Sequence, residues 1–205
     1  MKYIIVLCQG ISTSGEVSPQ TKQLIRFVLD KGMSTQIDVG KIIVSGGYRD
    51  KNGNIEADTA KKYLRLCHAA MVDPQCVTTI FFMDSFIFER SSSFKKGGNI
   101  SNLVESRKII QAELGLGDEI IIITSKPCAF RTMWAARRVF PEQKIKIIGQ
   151  KMIYGNNVQF RNSNELIFWI WNFILTIATI VYLFLSPIQN EKWILKGRMQ
   201  IAPAF

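Results

Sequence analysis

The chain has 205 residues, of which 47% are apolar and 20% are charged, with 26 Lys and Arg against 16 Asp and Glu. This length suits one α/β domain with some residues to spare. The apolar fraction excludes an intrinsically disordered protein, and counts of only 14 Gly and 4 Cys exclude a collagen-like or disulfide-scaffold protein.

The predicted elements alternate along the chain between short apolar strands and amphipathic helices. Strands are predicted at 3–8, 41–45, 77–83, 119–124 and 144–149, and helices at 19–31, 55–70, 100–114 and 129–140. Continuous apolar strands separated by helices are typical of a parallel sheet that is covered on both faces. We therefore predict one α/β domain over residues 1–150, with a doubly wound, mostly parallel, five-stranded Rossmann-like sheet.

The C-terminal part of the chain has a different character. Residues 151–165 are predicted to be a polar juxtamembrane connector, 166–187 a transmembrane helix and 188–205 a short tail. No charged residue lies between Glu165 and Glu191, and about 20 mostly apolar residues are enough to span a bilayer as a helix. A buried core helix is the alternative. No signal-peptide pattern opens the chain, so we expect a single-pass membrane protein with a C-terminal anchor and its α/β domain in the cytoplasm.

The basic residues are concentrated just before the predicted span. Residues 126–165 contain 8 basic and 2 acidic side chains, whereas residues 1–125 contain 15 and 13. A solvated helix face would explain this excess, but we favour attraction to anionic lipid headgroups, since each Lys or Arg near such a surface contributes about 1 kcal/mol. Nucleic acid is not an expected partner, because no zinc-finger, homeodomain, RRM or KH signature is present.

Histidine and cysteine supply little for metal or triad chemistry. The four cysteines form no CxxC pair, so no metal site is expected. The single histidine, His68, lies several turns inside the predicted helix 55–70. A Ser-His-Asp hydrolase is therefore disfavoured.

Ligands of open α/β sheets bind beyond the carboxyl ends of the strands, so the residues that follow each strand are the candidates. Glu56 opens a helix, and Arg131 lies in the first turn of another, where the helix dipole disfavours a cation. We expect Arg131 to pair with Glu56, with Glu105 or with an anionic ligand. If the protein is an enzyme, Glu56 is the expected acid/base and Arg131 the electrostatic clamp. The candidate ligand-binding residues are Gly10, Ser45, Gly46, Gly47, Asn102, Glu105, Ser106, Thr124, Ser125 and Cys128.

Four motifs at these positions resemble the YdcF/SanA/ElyC family of bacterial envelope-associated proteins: IIVSGG, EADTAKKYL, NLVES and ITSKPCAFRTMWAARRVFP. The resemblance covers roughly residues 3–150. It implies an α/β domain with a role in cell-envelope homeostasis. The matching residues are Ser45, Gly46, Gly47, Glu56, Ala57, Asn102, Glu105, Thr124, Ser125 and Arg131.

The chain also departs from the family pattern. Cys128 stands where the family usually has His, Leu103 where Thr is usual and Ser106 where a second Asn is usual. SanA-type and ElyC-type members have an N-terminal membrane helix and face the periplasm, whereas the span predicted here is C-terminal.

Three hypotheses of function follow. The first is a membrane-anchored YdcF-like protein that binds a small anionic or nucleotide-like ligand, with no cofactor identified. The second is a non-catalytic membrane scaffold with a vestigial site. The third is a thiol-dependent enzyme that uses Cys128, since flanking cations and a helix N-terminus lower the pKa of a thiol.

Overall fold

The computed structural model of the protein describes residues 1–31, 38–71, 86–89, 99–157 and 164–185. Five strands and five helices lie in these ranges. The strands are β1 (Lys2–Leu7), β2 (Val39–Ser45), β3 (Phe86–Glu89), β4 (Glu119–Ser125) and β5 (Lys144–Gln150). The helices are α1 (Pro19–Asp30), α2 (Glu56–Met71), α3 (Asn99–Ile110), α4 (Lys126–Val139) and α5 (Glu165–Leu185).

All five strands are parallel and form one sheet in the order β3-β2-β1-β4-β5. Successive strand residues face opposite sides, so the apolar runs of β1 and β4 bury side chains in two separate cores. The first core contains residues of α1 and α2, and the second contains residues of α3 and α4. The predicted Rossmann-like α/β domain with helices on both faces is confirmed.

The element bounds differ from prediction at several places. Helix α4 begins at Lys126 rather than 129, so Arg131 lies in its second turn and not in its first, and β2 begins at Val39 rather than 41. The strand predicted at 77–83 lies outside the described residues, and β3 is instead the four-residue segment Phe86–Glu89, which the sequence patterns did not indicate. Helix α3 ends at Ile110 rather than 114, because Glu113 and Leu114 both donate backbone hydrogen bonds to the Ile110 carbonyl and form a turn.

The segment after β5 lies against α1. Gln20 donates to the carbonyl of Ile153, and the Asn157 amide donates to the carbonyl of Gln9 at 2.8 Å and to Gln20 Oε1 at 3.0 Å. These contacts bring residues 151–157, the first part of the predicted connector, to the loop that follows β1.

Helix α5 begins after Asn164, whose side-chain oxygen accepts the Ile167 N–H. Considering only the side chains that the structure describes, no helix has both the length and the apolarity needed to cross a membrane.

Candidate functional site

The strand order reverses between β1 and β4, and in sheets of this kind the crevice beyond the carboxyl ends of the two strands at the reversal is the usual ligand site. One side of this crevice is the loop after β1. The other is the junction of β4 and α4, where the helix starts at the residue next to the strand end. His68 lies twelve residues into α2, about 18 Å along the helix from its first residue.

Glu56 joins the loops that follow β1 and β2. Its carboxylate is 5% exposed and accepts the Gly10 N–H at 2.5 Å and the Tyr48 N–H at 3.3 Å. Gly10 has φ +92°, and a Cβ there would lie 2.6 Å from Asn157 Oδ1, so a larger residue would not fit. Both Glu56 oxygens therefore hold backbone amides, and Glu56 acts as an anchor of the crevice wall.

Gly46 is a packing position. Its N–H donates to the Glu89 carbonyl, and an added Cβ would lie 2.6 Å from the Cys8 Cβ and 2.7 Å from the Glu56 Cβ. Only glycine lets α2 approach the ends of β1 and β2 this closely. Gly47 next to it is also buried. The Gly46 amide is thus bonded within the fold, although Gly46 is one of the candidate ligand-binding residues.

Ser45 connects β2 to α3 and to a carboxylate that sequence reasoning missed. Its hydroxyl donates to Glu89 Oε2 at 2.5 Å and to the Asn102 carbonyl, while the Asn102 amide donates to the Ser45 carbonyl. Glu89 is 4% exposed and ends β3 beside Ser45. The signal that could have identified it is an acidic residue directly after the short apolar run FIF.

Four predicted ligand-binding residues carry buried polar atoms without a hydrogen-bond partner among the described residues. They come from α3 and from the end of β4: Asn102 Oδ1, Ser106 Oγ, Thr124 Oγ1 and Ser125 Oγ. Ser125 occupies the N-cap of α4, yet its hydroxyl makes no capping bond. Because buried polar atoms are almost always bonded, these four indicate a place where a polar group binds.

Arg131 is 8% exposed and has no carboxylate partner within the part of the chain that the structure describes. The expected pairing with Glu56 or Glu105 is wrong. Glu56 accepts backbone amides, and Glu105 bonds Lys108 one helical turn away at 2.9 Å. Arg131 instead donates to the Cys128 sulfur at 3.8 Å.

Cys128 is buried and joins α4 to α5. Its Sγ donates to Asn172 Oδ1 at 3.0 Å and accepts from Arg131, so the sulfur is bonded on both sides. The neighbouring Tyr154 stacks edge-on against Phe168, and burial together with the nearby Glu165 and Cys128 raises the pKa of Tyr154 to about 12. This corner of the crevice thus holds a phenol that is neutral at physiological pH.

Cys8 lies on the opposite side of the crevice from Cys128. Burial raises the pKa of the Cys8 thiol well above its ordinary value, and the charges of Glu56 and Glu89 raise it further. Cys8 is therefore a neutral, unreactive thiol in the folded protein.

The arrangement combines a buried guanidinium with unsatisfied hydroxyl and amide oxygens. A guanidinium presents five donors in a fixed fork, which matches the oxygens of a phosphate or carboxylate. Among the described residues, no three His, Cys, Asp or Glu side chains are grouped as metal ligands. A buried cation and hydroxyl groups are the types of group that bond the oxygens of small anions.

Comparison of the chain with family models, with curated proteins and with solved structures found no match.

Proposed function

We propose that this protein binds a small phosphate-bearing ligand, nucleotide-like molecules included, in the crevice between the ends of β1 and β4. Arg131 carries the proposal, because a buried guanidinium without a carboxylate partner among the described residues retains its charge and most of its donors for a ligand. Burial of an unpaired charge is costly, so an anionic partner would stabilise the fold as well.

The buried polar atoms that lack a hydrogen-bond partner among the described residues would make the remaining contacts to the ligand. Thr124 and Ser125 end the strand that leads into α4, and Asn102 and Ser106 lie on the helix that packs on the same face of the sheet. A ligand held by Arg131 would be bonded by these groups through its other oxygens. The phosphate group would also lie at the start of α4, where the helix dipole favours negative charge.

The proposed location is a membrane surface. The 21-residue α5 is almost wholly apolar, and large apolar side chains on it, such as Leu166 and Phe173, are exposed. We propose that α5 anchors the chain in the bilayer as a single C-terminal span with the α/β domain in the cytoplasm. The basic residues of 126–165 would then contact anionic lipid headgroups.

The proposed class is the YdcF-like one, with a role in envelope homeostasis. Its support is that the SGG turn, the helix that begins with Glu56, the polar residues of α3 and the Thr-Ser end of β4 all lie at the carboxyl edge of one sheet. A non-catalytic role has its own support. Both Glu56 oxygens hold backbone amides, and Cys128, in place of the family His, is bonded to Asn172. We therefore propose ligand binding and leave catalysis outside the proposal.

The test is the thermal stability of the full chain, inserted in vesicles of phosphatidylcholine and phosphatidylglycerol, with inorganic phosphate and with AMP. Both should raise the melting temperature of wild type, because a ligand that binds only the folded state stabilises it. Arg131→Met should weaken phosphate binding by about tenfold or more, since a hydrogen bond to a charged group contributes about 1.5–3 kcal/mol.

Arg138→Met is the matched control, because Arg138 is an exposed arginine on the same helix. It should bind phosphate as wild type does. Equal stabilisation of the Arg131 variant and wild type would refute the site. No stabilisation of folded wild type by either compound would favour the scaffold.

A further inference from the structure

Helix α5 turns its polar residues Asn172, Thr176 and Thr179 away from its exposed side, which is apolar from Leu166 onward, whereas an ordinary surface helix exposes its polar face. Asn172 and Phe168 are buried against the domain, and Thr176 and Thr179 continue their side of the helix at intermediate exposure. The outward stripe repeats at helical spacing and consists of Leu166, Trp169, Ile170, Phe173, Ile174, Ile177 and Val181, which are 44–67% exposed.

The polar side chains of α5 bond their own helix. The Asn172 amide donates to the Phe168 carbonyl at 2.8 Å, Thr176 donates to the Asn172 carbonyl at 2.7 Å, and Thr179 donates to the Leu175 carbonyl at 2.7 Å. Donors satisfied four residues back within a helix remain satisfied when the helix moves into lipid. Among the described residues, withdrawal of α5 from the domain would break one hydrogen bond made by Asn172, Thr176 and Thr179, the bond from Cys128 to Asn172 Oδ1.

That bond lies at the candidate site. Cys128 sits in the first turn of α4 and accepts a hydrogen bond from Arg131, so Asn172 is two contacts away from the guanidinium. With α5 docked, Cys128 and Asn172 are 2% and 3% exposed, and Arg131 beside them is 8% exposed. Withdrawal of α5 would remove the side chain that contacts the Cys128 thiol.

We propose that α5 is a membrane-responsive gate of the crevice: the docked helix closes it through Asn172, and transfer of α5 into a lipid bilayer opens it. The effect of the gate on ligand access rests on the anion site proposed above. The contact between α5 and Cys128 does not depend on that site. The bilayer is the occupant of the outward stripe, because no charged residue lies between Glu165 and Glu191 and the side chains of Asn172, Thr176 and Thr179 donate within the helix.

The experiment follows alkylation of Cys128 by N-ethylmaleimide, read by peptide mass spectrometry. The full chain is made by cell-free synthesis with or without vesicles of phosphatidylcholine and phosphatidylglycerol. Vesicles should accelerate modification of Cys128 by about tenfold or more, because a closed site reacts only through its open population. Cys8 serves as the internal control and should stay protected, since only unfolding exposes it.

Three variants distinguish opening of the gate from a general loss of packing in the protein. Asn172→Ala should accelerate Cys128 alkylation without vesicles, whereas Thr179→Ala, which loses a hydroxyl bonded within α5, should leave it unchanged. In Asn172→Cys, mild oxidation should form a disulfide with Cys128 without vesicles, and vesicles should suppress that disulfide.

Protection of Cys128 that is identical with and without vesicles, or that survives in Asn172→Ala, would overturn the gate. The disulfide forming equally in both conditions would overturn it too. If Cys128 and the disulfide respond as expected but phosphate does not stabilise wild type, the gate stands and the anion site falls. If phosphate binds and Cys128 does not respond to vesicles, the anion site stands and the gate is refuted.

Discussion

Glu56 lies at a position that the sequence predicts to be functional, but in the structure its side chain holds two loops of the backbone. It was predicted as an acid/base because a carboxylate opens a helix at the sheet edge. In the structure it is buried and accepts two backbone amides, from Gly10 and from Tyr48. A buried amide left without its acceptor costs about 1–3 kcal/mol, so this role alone is enough to demand a carboxylate here.

Glu56→Ala should lower the free energy of unfolding by about 2–4 kcal/mol, because two amides lose their acceptor. Urea denaturation measures it. Glu16→Gln, which alters an exposed carboxylate in the loop after β1, should change stability by less than about 0.5 kcal/mol. A Glu56→Ala protein as stable as wild type would contradict the anchoring role.

Asp50 is a second residue whose charge the fold uses. Its Oδ1 accepts the N–H groups of Asn52 and Asn54, and its Oδ2 accepts the Asn54 side-chain amide. Burial by itself would raise the pKa of Asp50, but these hydrogen bonds outweigh burial and lower it. A carboxyl whose pKa is lower in the folded state favours folding at every pH where it is ionised in the unfolded state as well.

The stability that Asp50 provides should be complete at neutral pH and decline as the pH falls below about 4, because the unfolded state then takes up the proton first. Urea midpoints measured from neutral to acid pH for wild type and Asp50→Asn should converge as the pH falls. Asp30→Asn, which removes a carboxylate at an exposed end of α1, is the control substitution. A gap between wild type and Asp50→Asn that is constant with pH would contradict this reading.

At the scale of elements, the close approach of α2 to the strand ends depends on Gly46. The β-carbon of any other residue would meet the Cβ atoms of Cys8 and Glu56 at distances that packed side chains do not adopt. The fold must shift to accept one, and overpacking of this kind typically costs about 1–3 kcal/mol.

Gly46→Ala should therefore lower the melting temperature by several degrees, as about 1–3 kcal/mol does in a domain of this size. Gly115→Ala is the matched control, because its added Cβ would meet Asp118 at an ordinary 3.4 Å. Calorimetry of wild type and both variants measures the three melting temperatures, and only that of Gly46→Ala should be lowered. Equal melting temperatures would show that α2 does not need the glycine.

The elements that the sequence predicts best are the ones with uninterrupted apolar runs. Strands β1 and β4 are buried on both faces, so their sequences leave little choice of structure. Strand β3 was not predicted, because a run of four residues is too short to show a strand pattern. Its register is set by pairing with β2. Helix α3 ended early because a backbone turn at Ile110, which has no sequence marker, replaced its last turn.

The candidate site also contains some residues that the sequence predicts and some that it does not. Chain order places Ser45, Thr124 and Ser125 at one edge, since parallel strands end on the same side of a sheet. Glu89 was missed because it belongs to the unpredicted strand. The partner of Arg131 could not be predicted, because several carboxylates lie within plausible reach and only the packed fold decides which of them turn to backbone amides.

At the scale of the whole molecule, the apolar residues lie in two different settings. The α/β domain buries its apolar residues in two cores on either side of the sheet. Helix α5 leaves seven large apolar side chains exposed and turns Asn172 toward Cys128. The proposed membrane anchor and the proposed ligand site are therefore in direct contact, which joins location to ligand access.

The central claim is that the crevice between β1 and β4 binds an anion through Arg131. A crystal of the full chain grown from a lipid mesophase with inorganic phosphate tests it most directly. We predict phosphate density within hydrogen-bond distance of the Arg131 guanidinium and of the Thr124 or Ser125 hydroxyl. An empty crevice at saturating phosphate, with Arg131 paired to a carboxylate of this chain and those hydroxyls bonded within the protein, would contradict it.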